Sequence, residues 1–214
     1  MTRVTVIGGS GYAGSHIVEA AAVRGLDVTS VSRGETAEQI AGVDYAKGSL
    51  TEAADRAAAL DGADVVIVAV SPRADMAGRT RSAIAELAAE TADAGVRLGV
   101  IGGAGSLLQS EGGPLVMDGP EFPDAVKPEA AEMGGVLEDL RAAPEALDWF
   151  LVSPAASFGA WAPGEYRGEY RVGGDVLLTD AAGRSEISGA DFGVAVVDEI
   201  EEPKHRRARF TVAY

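Results

Sequence analysis

An α/β architecture with a doubly wound, mostly parallel sheet is what this 214-residue chain leads one to expect. In its first half, short β-branched runs alternate with longer alanine-rich stretches of helical period, the pattern of a parallel sheet covered on both faces. Glycines stand where each helix should stop, and the first β-branched run leads straight into a glycine cluster and then a helix.

Residues 4–7, 28–32, 43–46, 65–70 and 98–101 read as strands one to five, with helices over 13–24, 51–60 and 79–94 between them. Gly25, Gly62 and Gly95 fall at the positions of left-handed C-caps. After strand five, Gly102-Gly103-Ala104-Gly105-Ser106 opens a long loop, punctuated by Gly and Pro, that reaches Pro128. Long loops in compact domains are often functional. A helix over 129–141 and a strand over 149–152 follow, and Ser153-Pro154 opens a second glycine-rich loop. Between Tyr166 and Ser188 the period changes, and the runs around Tyr170, Val176 and Ser185 read as small antiparallel strands joined by tight turns. Ser188-Gly189-Ala190-Asp191 is a capping box for a helix to about residue 200, and 209–213 reads as a closing strand. No repeat, low-complexity tail or interdomain linker is visible, so residues 1–214 read as one domain.

Composition removes several function classes. Lys and Arg number 18 against 33 Asp and Glu, and a net charge of -15 repels a phosphate backbone, so no nucleic-acid partner is expected. No apolar run is long enough to span a bilayer, and the opening MTRVTVIGG lacks the apolar region and cleavage site of a signal peptide. The expectation is a cytoplasmic protein with no membrane partner. Zero cysteines exclude a disulfide frame, a thiol nucleophile and thiolate metal ligands, and the two histidines lie too far apart in sequence to suggest a zinc site. No metal is expected.

The segment Val4 to Gly14 carries most of the chemical information. Gly9, Gly11 and Gly14 make GxGxxG, while Gly8, Gly11 and Gly14 make GxxGxxG. A diphosphate must come within hydrogen-bond reach of bare amides at a helix N-terminus, through a turn whose backbone angles suit glycine. The strand-turn-helix context, with a full βαβ unit behind it, makes Gly8, Gly9, Ser10, Gly11, Tyr12, Ala13 and Gly14 the expected dinucleotide loop. The alternative is a glycine turn that merely lets strand and helix pack closely.

Cofactor choice is read at the end of strand two, where an NAD-binding chain places an acid against the ribose hydroxyls. Here the residues are Ser30-Val31-Ser32-Arg33-Gly34. Ser32 and Arg33 can hydrogen-bond and charge-pair with a 2'-phosphate, so NADP(H) is expected in preference to NAD(H); otherwise Arg33 is one solvated charge on a loop. Ser71-Pro72 after strand four and Gly102-Gly103 after strand five lie at the carboxyl ends of the sheet, where the ligand crevice of an open α/β sheet sits, although Pro72 could simply end a strand.

With these residues in view, the chain resembles an atypical short-chain dehydrogenase/reductase, and within that superfamily the NmrA-like and biliverdin-IXβ/flavin reductase-like group. The likeness runs through Val6 to Gly14, Arg33, Ala63 to Val66, Val100 to Ser106, Trp149 to Pro154 and Arg209 to Val212, and so spans essentially the whole chain. It implies a Rossmann sheet of about seven strands, with residues 153–190 forming a small substrate-side cap. It also implies that Ser153 and Pro154 face the nicotinamide, the alternative being a simple turn; Ser71 and Gly102, from their place at the carboxyl ends of the strands, are expected at the same half of the cofactor.

The departures from the superfamily pattern carry equal weight. No YxxxK pair occurs; Lys127 is the only lysine in the right region and Pro123 stands four residues before it. The hydroxyl expected just after strand five is displaced to Ser106. General acid catalysis through a tyrosinate is therefore not expected. Ser106 and Ser153 remain the candidate catalytic groups, Ser106 as a donor to an acceptor carbonyl or else a polar loop residue. Lys127 could neutralise the nicotinamide ribose region, or be a solvated lysine at a helix entry.

Phe158, Trp161, Tyr166 and Tyr170 suit the covering of a flat ring, or else form a satellite core under the cap. His16 reads as a partly buried helix residue, Lys204 to Arg207 as a solvated loop, and Asp198-Glu199 with Glu201-Glu202 as a soluble helix face. The resulting expectation is an NADPH-dependent reductase, monomeric or homodimeric, that passes hydride to a small-molecule acceptor such as a flavin, quinone or enone. Two alternatives stand beside it: an NADP(H)-binding redox sensor without turnover, and a sugar-nucleotide epimerase-like enzyme, which the missing base disfavours.

Overall fold

A computed structural model of the chain describes residues 1–36 and 38–214. Among the described residues eight strands form one sheet: β1 (Arg3–Ile7), β2 (Asp27–Ser32), β3 (Val43–Lys47), β4 (Val65–Val68), β5 (Arg97–Ile101), β6 (Trp149–Ser153), β7 (Arg171–Gly173) and β8 (Ala208–Ala213). Their spatial order is β3-β2-β1-β4-β5-β6-β8-β7, and every pairing is parallel except that of β7 with β8. Five helices cover the sheet: α1 (Tyr12–Val23), α2 (Ala53–Leu60), α3 (Thr80–Ala94), α4 (Lys127–Ala142) and α5 (Gly189–Glu201). The order reverses between β1 and β4, which opens a crevice at the carboxyl ends of the strands.

Because both faces are covered, consecutive apolar residues of one strand feed two different cores. Val4, Val6, Ile67, Phe150, Val152 and Phe210 pack under α1 and α5. Ile7, Val66, Val68, Leu98, Val100 and Leu151 pack on the other face with side chains of α3 and α4. α1 and α5 run side by side in the same direction: a Cβ at Gly193 would lie 2.4 Å from the His16 carbonyl oxygen, and Arg24, just past α1, pairs with Asp198 and Glu201. His16 is indeed partly buried, its ring against Gly189. Gly25, Gly62 and Gly95 all take positive φ past the ends of their helices, as expected. Among the described residues, no helix is long and apolar enough to cross a membrane.

The sheet has eight strands where about seven were expected, and its three-residue antiparallel edge strand β7 falls on the run around Tyr170 that reads as a strand. Two sequence expectations change. The runs around Val176 and Ser185 are not strands. Asp180 closes the expected turn by accepting from the Ala182 and Arg184 amides, but the flanking backbone bonds elsewhere: Leu177 to Leu108, Ser157 to Ser185, and Tyr214 to Glu186. Finally, Glu199 is not on a soluble face, and His205, in a loop whose Lys204 and Arg206 are exposed as expected, turns its ring inward. Glu199 is 4% exposed and accepts from Arg97 at 2.6 Å, from the His205 and Lys204 amides, and from the His205 ring at 2.7 Å. Burial pushes its carboxyl up, yet the donors from Arg97, His205 and Lys204 outweigh it and hold the group below its ordinary value. This cluster ties the end of α5 to the start of β5, at the opposite end of the sheet from the crevice.

Candidate functional site

The crevice begins where β1 ends. Gly8 takes φ +90°, and a Cβ there would lie 2.6 Å from the Ala69 carbonyl oxygen. A Cβ at Gly9 would lie 2.1 Å from Ser30 Oγ, and one at Gly14 would lie 2.1 Å from the Gly8 carbonyl oxygen. These three glycines let β1, β2, β4 and α1 meet at this point. Gly11 differs: its nearest neighbour would be the Gly8 carbonyl oxygen at 3.3 Å, and the residue is exposed at the N-cap of α1. No side chain caps α1 and no acid stands in its first turn; the first helical bond runs from the Ser15 amide to the Gly11 carbonyl at 2.8 Å. The amides of Tyr12, Ala13 and Gly14 therefore form an uncapped, electropositive helix end, with Ser10 exposed beside it.

On the β2 side, Ser32 is buried and its hydroxyl donates to the Gly34 carbonyl at 2.8 Å. Arg33 is exposed and ion-paired with Asp75, which lies in a short turn over Ala74–Met76 following β4. The Arg33 guanidinium holds the Asp75 carboxyl below its ordinary value. Of the residues after β4, Ser71 is exposed and Pro72 is buried.

After β5, Gly102 donates its amide to the Val152 carbonyl at 2.8 Å, and the space beside Gly103 is open. At the end of β6, Ser153 and Pro154 are buried. The Ser153 hydroxyl is the anomalous group here: it is fully buried beneath Gly102, 3.5 Å from where a Gly102 Cβ would sit, and has no hydrogen-bond partner among the described residues. A buried hydroxyl without a partner is costly, and such an exception asks for a reason.

Two expected residues stand apart from this constellation. Ser106 Oγ accepts from Arg209 at 3.1 Å and lines a cavity of about 440 Å³ with Leu108, Leu115, Asp175 and Arg209, a cavity that none of Gly8, Ser71, Gly102 or Ser153 lines. Lys127 Nζ pairs with Asp124 at 2.7 Å at the start of α4.

The segment between β6 and α5 folds back over the N-terminus of α1. Tyr12 Oη donates to the Pro163 carbonyl at 3.2 Å, and Phe158 packs against both Tyr12 and Phe192, at 5.2 and 4.5 Å between ring centroids. Burial raises the Tyr12 hydroxyl above its ordinary value, opposed by the Gly189 amide that faces it. Of the four aromatics singled out by sequence, Phe158 joins this core and Tyr170 bonds to Asp198, while Trp161 and Tyr166 are exposed. Asp191, which sequence reading placed only in a capping box, organises the segment. Fully buried, it accepts from the Ser188 hydroxyl, the Arg167 and Gly168 amides at 2.8 and 2.9 Å, and the Tyr214 hydroxyl.

The sequence profile described as NAD(P)H-binding matches residues 8–203. The chain belongs to the NAD(P)H-binding family. Protein YwnB of Bacillus subtilis (strain 168) is 35% identical over 215 residues, spanning 98% of this chain and 97% of its own. A Bacteroides thetaiotaomicron protein given as a candidate epimerase has a crystal structure that matches with a TM-score of 0.87 and 33% identity, over 100% of this chain and 97% of its own. A Streptococcus pneumoniae protein given as a candidate NADH-flavin reductase matches with a TM-score of 0.86 and 33% identity, over 100% of this chain and 99% of its own. The fold agrees with an atypical short-chain dehydrogenase/reductase.

The residues present fit the dinucleotide of this NAD(P)H-binding family. The α1 N-terminus is uncapped and free of acids, Gly11 leaves its approach open, and an orphaned hydroxyl waits at the end of β6.

Proposed function

We propose that the protein is an NADPH-dependent reductase that delivers hydride to a small flat or conjugated acceptor: a flavin, a quinone or an enone. In this reading Gly8 to Gly14 hold the diphosphate and Ser32 with Arg33 meets the 2'-phosphate. Ser71, Pro72, Gly102, Gly103, Ser153 and Pro154 line the nicotinamide half, under a cap formed by residues 153–190. Bound NADPH supplies the hydride, and the acceptor takes up two electrons with a proton from water. The chain's own part is to orient the ring, exclude water from one face and offer it the Ser153 hydroxyl, which has no partner among the described residues.

The observation that carries this reading is the state of the tyrosines and of Lys127. Tyr12, Tyr45, Tyr170 and Tyr214 each hold a structural hydrogen bond through the hydroxyl, Tyr166 is exposed on the cap, and Lys127 is paired with Asp124. No tyrosine–lysine acid pair stands at the crevice among the described residues, which suits acceptors whose reduction draws its proton from solvent and disfavours chemistry at a sugar hydroxyl.

Titration with NADPH, followed by nicotinamide fluorescence, and then addition of flavin, quinone and enone acceptors tests the proposal. Consumption of bound NADPH with one acceptor class supports it and names the class. Tight binding with no turnover on any acceptor refutes it in favour of a redox sensor.

A further inference from the structure

By sequence, the end of β2 offers Ser32 and Arg33 and no acid; in the fold an acid stands there. Asp75, 42 positions later, is ion-paired with Arg33, and at 55% and 58% exposure the two side chains meet at the open mouth of the crevice. The backbone that carries Asp75 is also held in place independently of Arg33. Pro72 and Met76 on either side are buried, Ala74 adopts φ +51° to complete the turn, and Arg73 Nε donates to Glu129 at 2.6 Å. Where the loop enters α3, Glu132 of α4 accepts from the Gly78 and Arg81 amides at 2.7 and 3.0 Å, and Arg79 adds a second positive charge acting on Asp75. Among the described residues Arg33 has no comparable anchors: it is a long, exposed side chain at a strand end.

We propose that Asp75 is a specificity-determining residue that competes with the 2'-phosphate of NADP(H) for Arg33 and so moderates the preference for the phosphorylated dinucleotide. The inference rests on the reading that Arg33 meets that phosphate. A 2'-phosphate reaching Arg33 must draw the guanidinium from Asp75 and then lie near a carboxylate. A 2'-hydroxyl leaves the pair intact. Asp75 therefore weakens NADPH and spares NADH, and supplies at β2 the negative charge that sequence alone does not show there.

The test is calorimetric titration of the wild type, Asp75→Asn, Arg33→Ala and the double variant with NADPH and with NADH, at low and at physiological salt. Asp75→Asn should tighten NADPH about two- to fivefold, the scale of an exposed ion pair, and leave NADH unchanged. The gain should shrink with added salt and vanish in the Arg33→Ala background. An unchanged NADPH-to-NADH ratio in Asp75→Asn, or a gain that persists without Arg33, overturns the inference. If in that event Arg33→Ala still weakens NADPH selectively, the phosphate reading stands without Asp75. If Arg33→Ala weakens both dinucleotides equally, the reading itself fails and the inference with it.

Discussion

Four glycines share the first turn of the crevice, yet the fold demands only three of them, and this separates binding from folding in one pair of variants. In Gly14→Ala the new methyl group falls 2.1 Å from the Gly8 carbonyl oxygen and 2.8 Å from its carbon. Both atoms are backbone, and α1 cannot back away because α5 is packed against it at Gly193, so the strain is that of an overfilled core, about 1–3 kcal/mol. For a domain of this size that lowers Tm by about 2 to 12 °C. In Gly11→Val the Cβ starts 3.3 Å from the Gly8 carbonyl oxygen, a close approach without the overlap found at Gly14, at φ -75° and ψ 168°, a conformation open to any residue, and the position is exposed. Its Tm should stay within about 3 °C of wild type, while a bulky group where the diphosphate approaches raises the NADPH Kd at least about tenfold. Thermal melts and calorimetric titration of both variants suffice. Wild-type affinity in a folded Gly11→Val protein would falsify the placement of the diphosphate; a wild-type Tm in Gly14→Ala would refute the packing argument.

Ser153→Ala removes a buried hydroxyl that has no partner among the described residues, so the ligand-free protein should melt no lower than wild type while NADPH turnover falls; a clear loss of stability would mean that the hydroxyl has a structural partner. Asp191→Ala leaves the Arg167 and Gly168 amides without their acceptor, and limited proteolysis should then cut the 163–169 loop several-fold faster; unchanged protection would show that the loop is held by other contacts. Glu199, held below its ordinary value, contributes stability that is fully present above the unfolded carboxyl value and is lost as pH falls through the lower folded one. Glu199→Gln should therefore cost about 3 kcal/mol at pH 7 and progressively less below about pH 4. A pH-independent difference in denaturation midpoints would contradict that assignment.

What could be read in advance was local in the chain. The β-branched runs, the helix-stopping glycines and the strand-glycine-helix opening each lie within a dozen residues, and each appeared where expected. Asp75 was invisible because it reaches Arg33 through two aperiodic loops that only the sheet order brings together. The strands proposed around Val176 and Ser185 failed because hydrogen-bond partners for those residues come from Leu108 and Ser157, which no local pattern specifies. Glu199 could have been placed correctly: Phe192, Val196 and Glu199 recur at i, i+4 and i+7, which sets the glutamate on the buried stripe of α5, while Asp198 looks outward beside it.

Two parallel helix ends lie next to each other at the mouth of the crevice, since Tyr12 Oη of α1 faces the first amide of α5. Their dipoles point the same way, so either could attract an anion. Only α5 carries its own internal counter-ion: Asp191 sits in its first turn, with Ser188 closing the cap. One carboxylate thus silences one of two equivalent positive poles, and the polarity of the crevice depends as much on what fills the neighbouring helix end as on the glycines that leave the other bare.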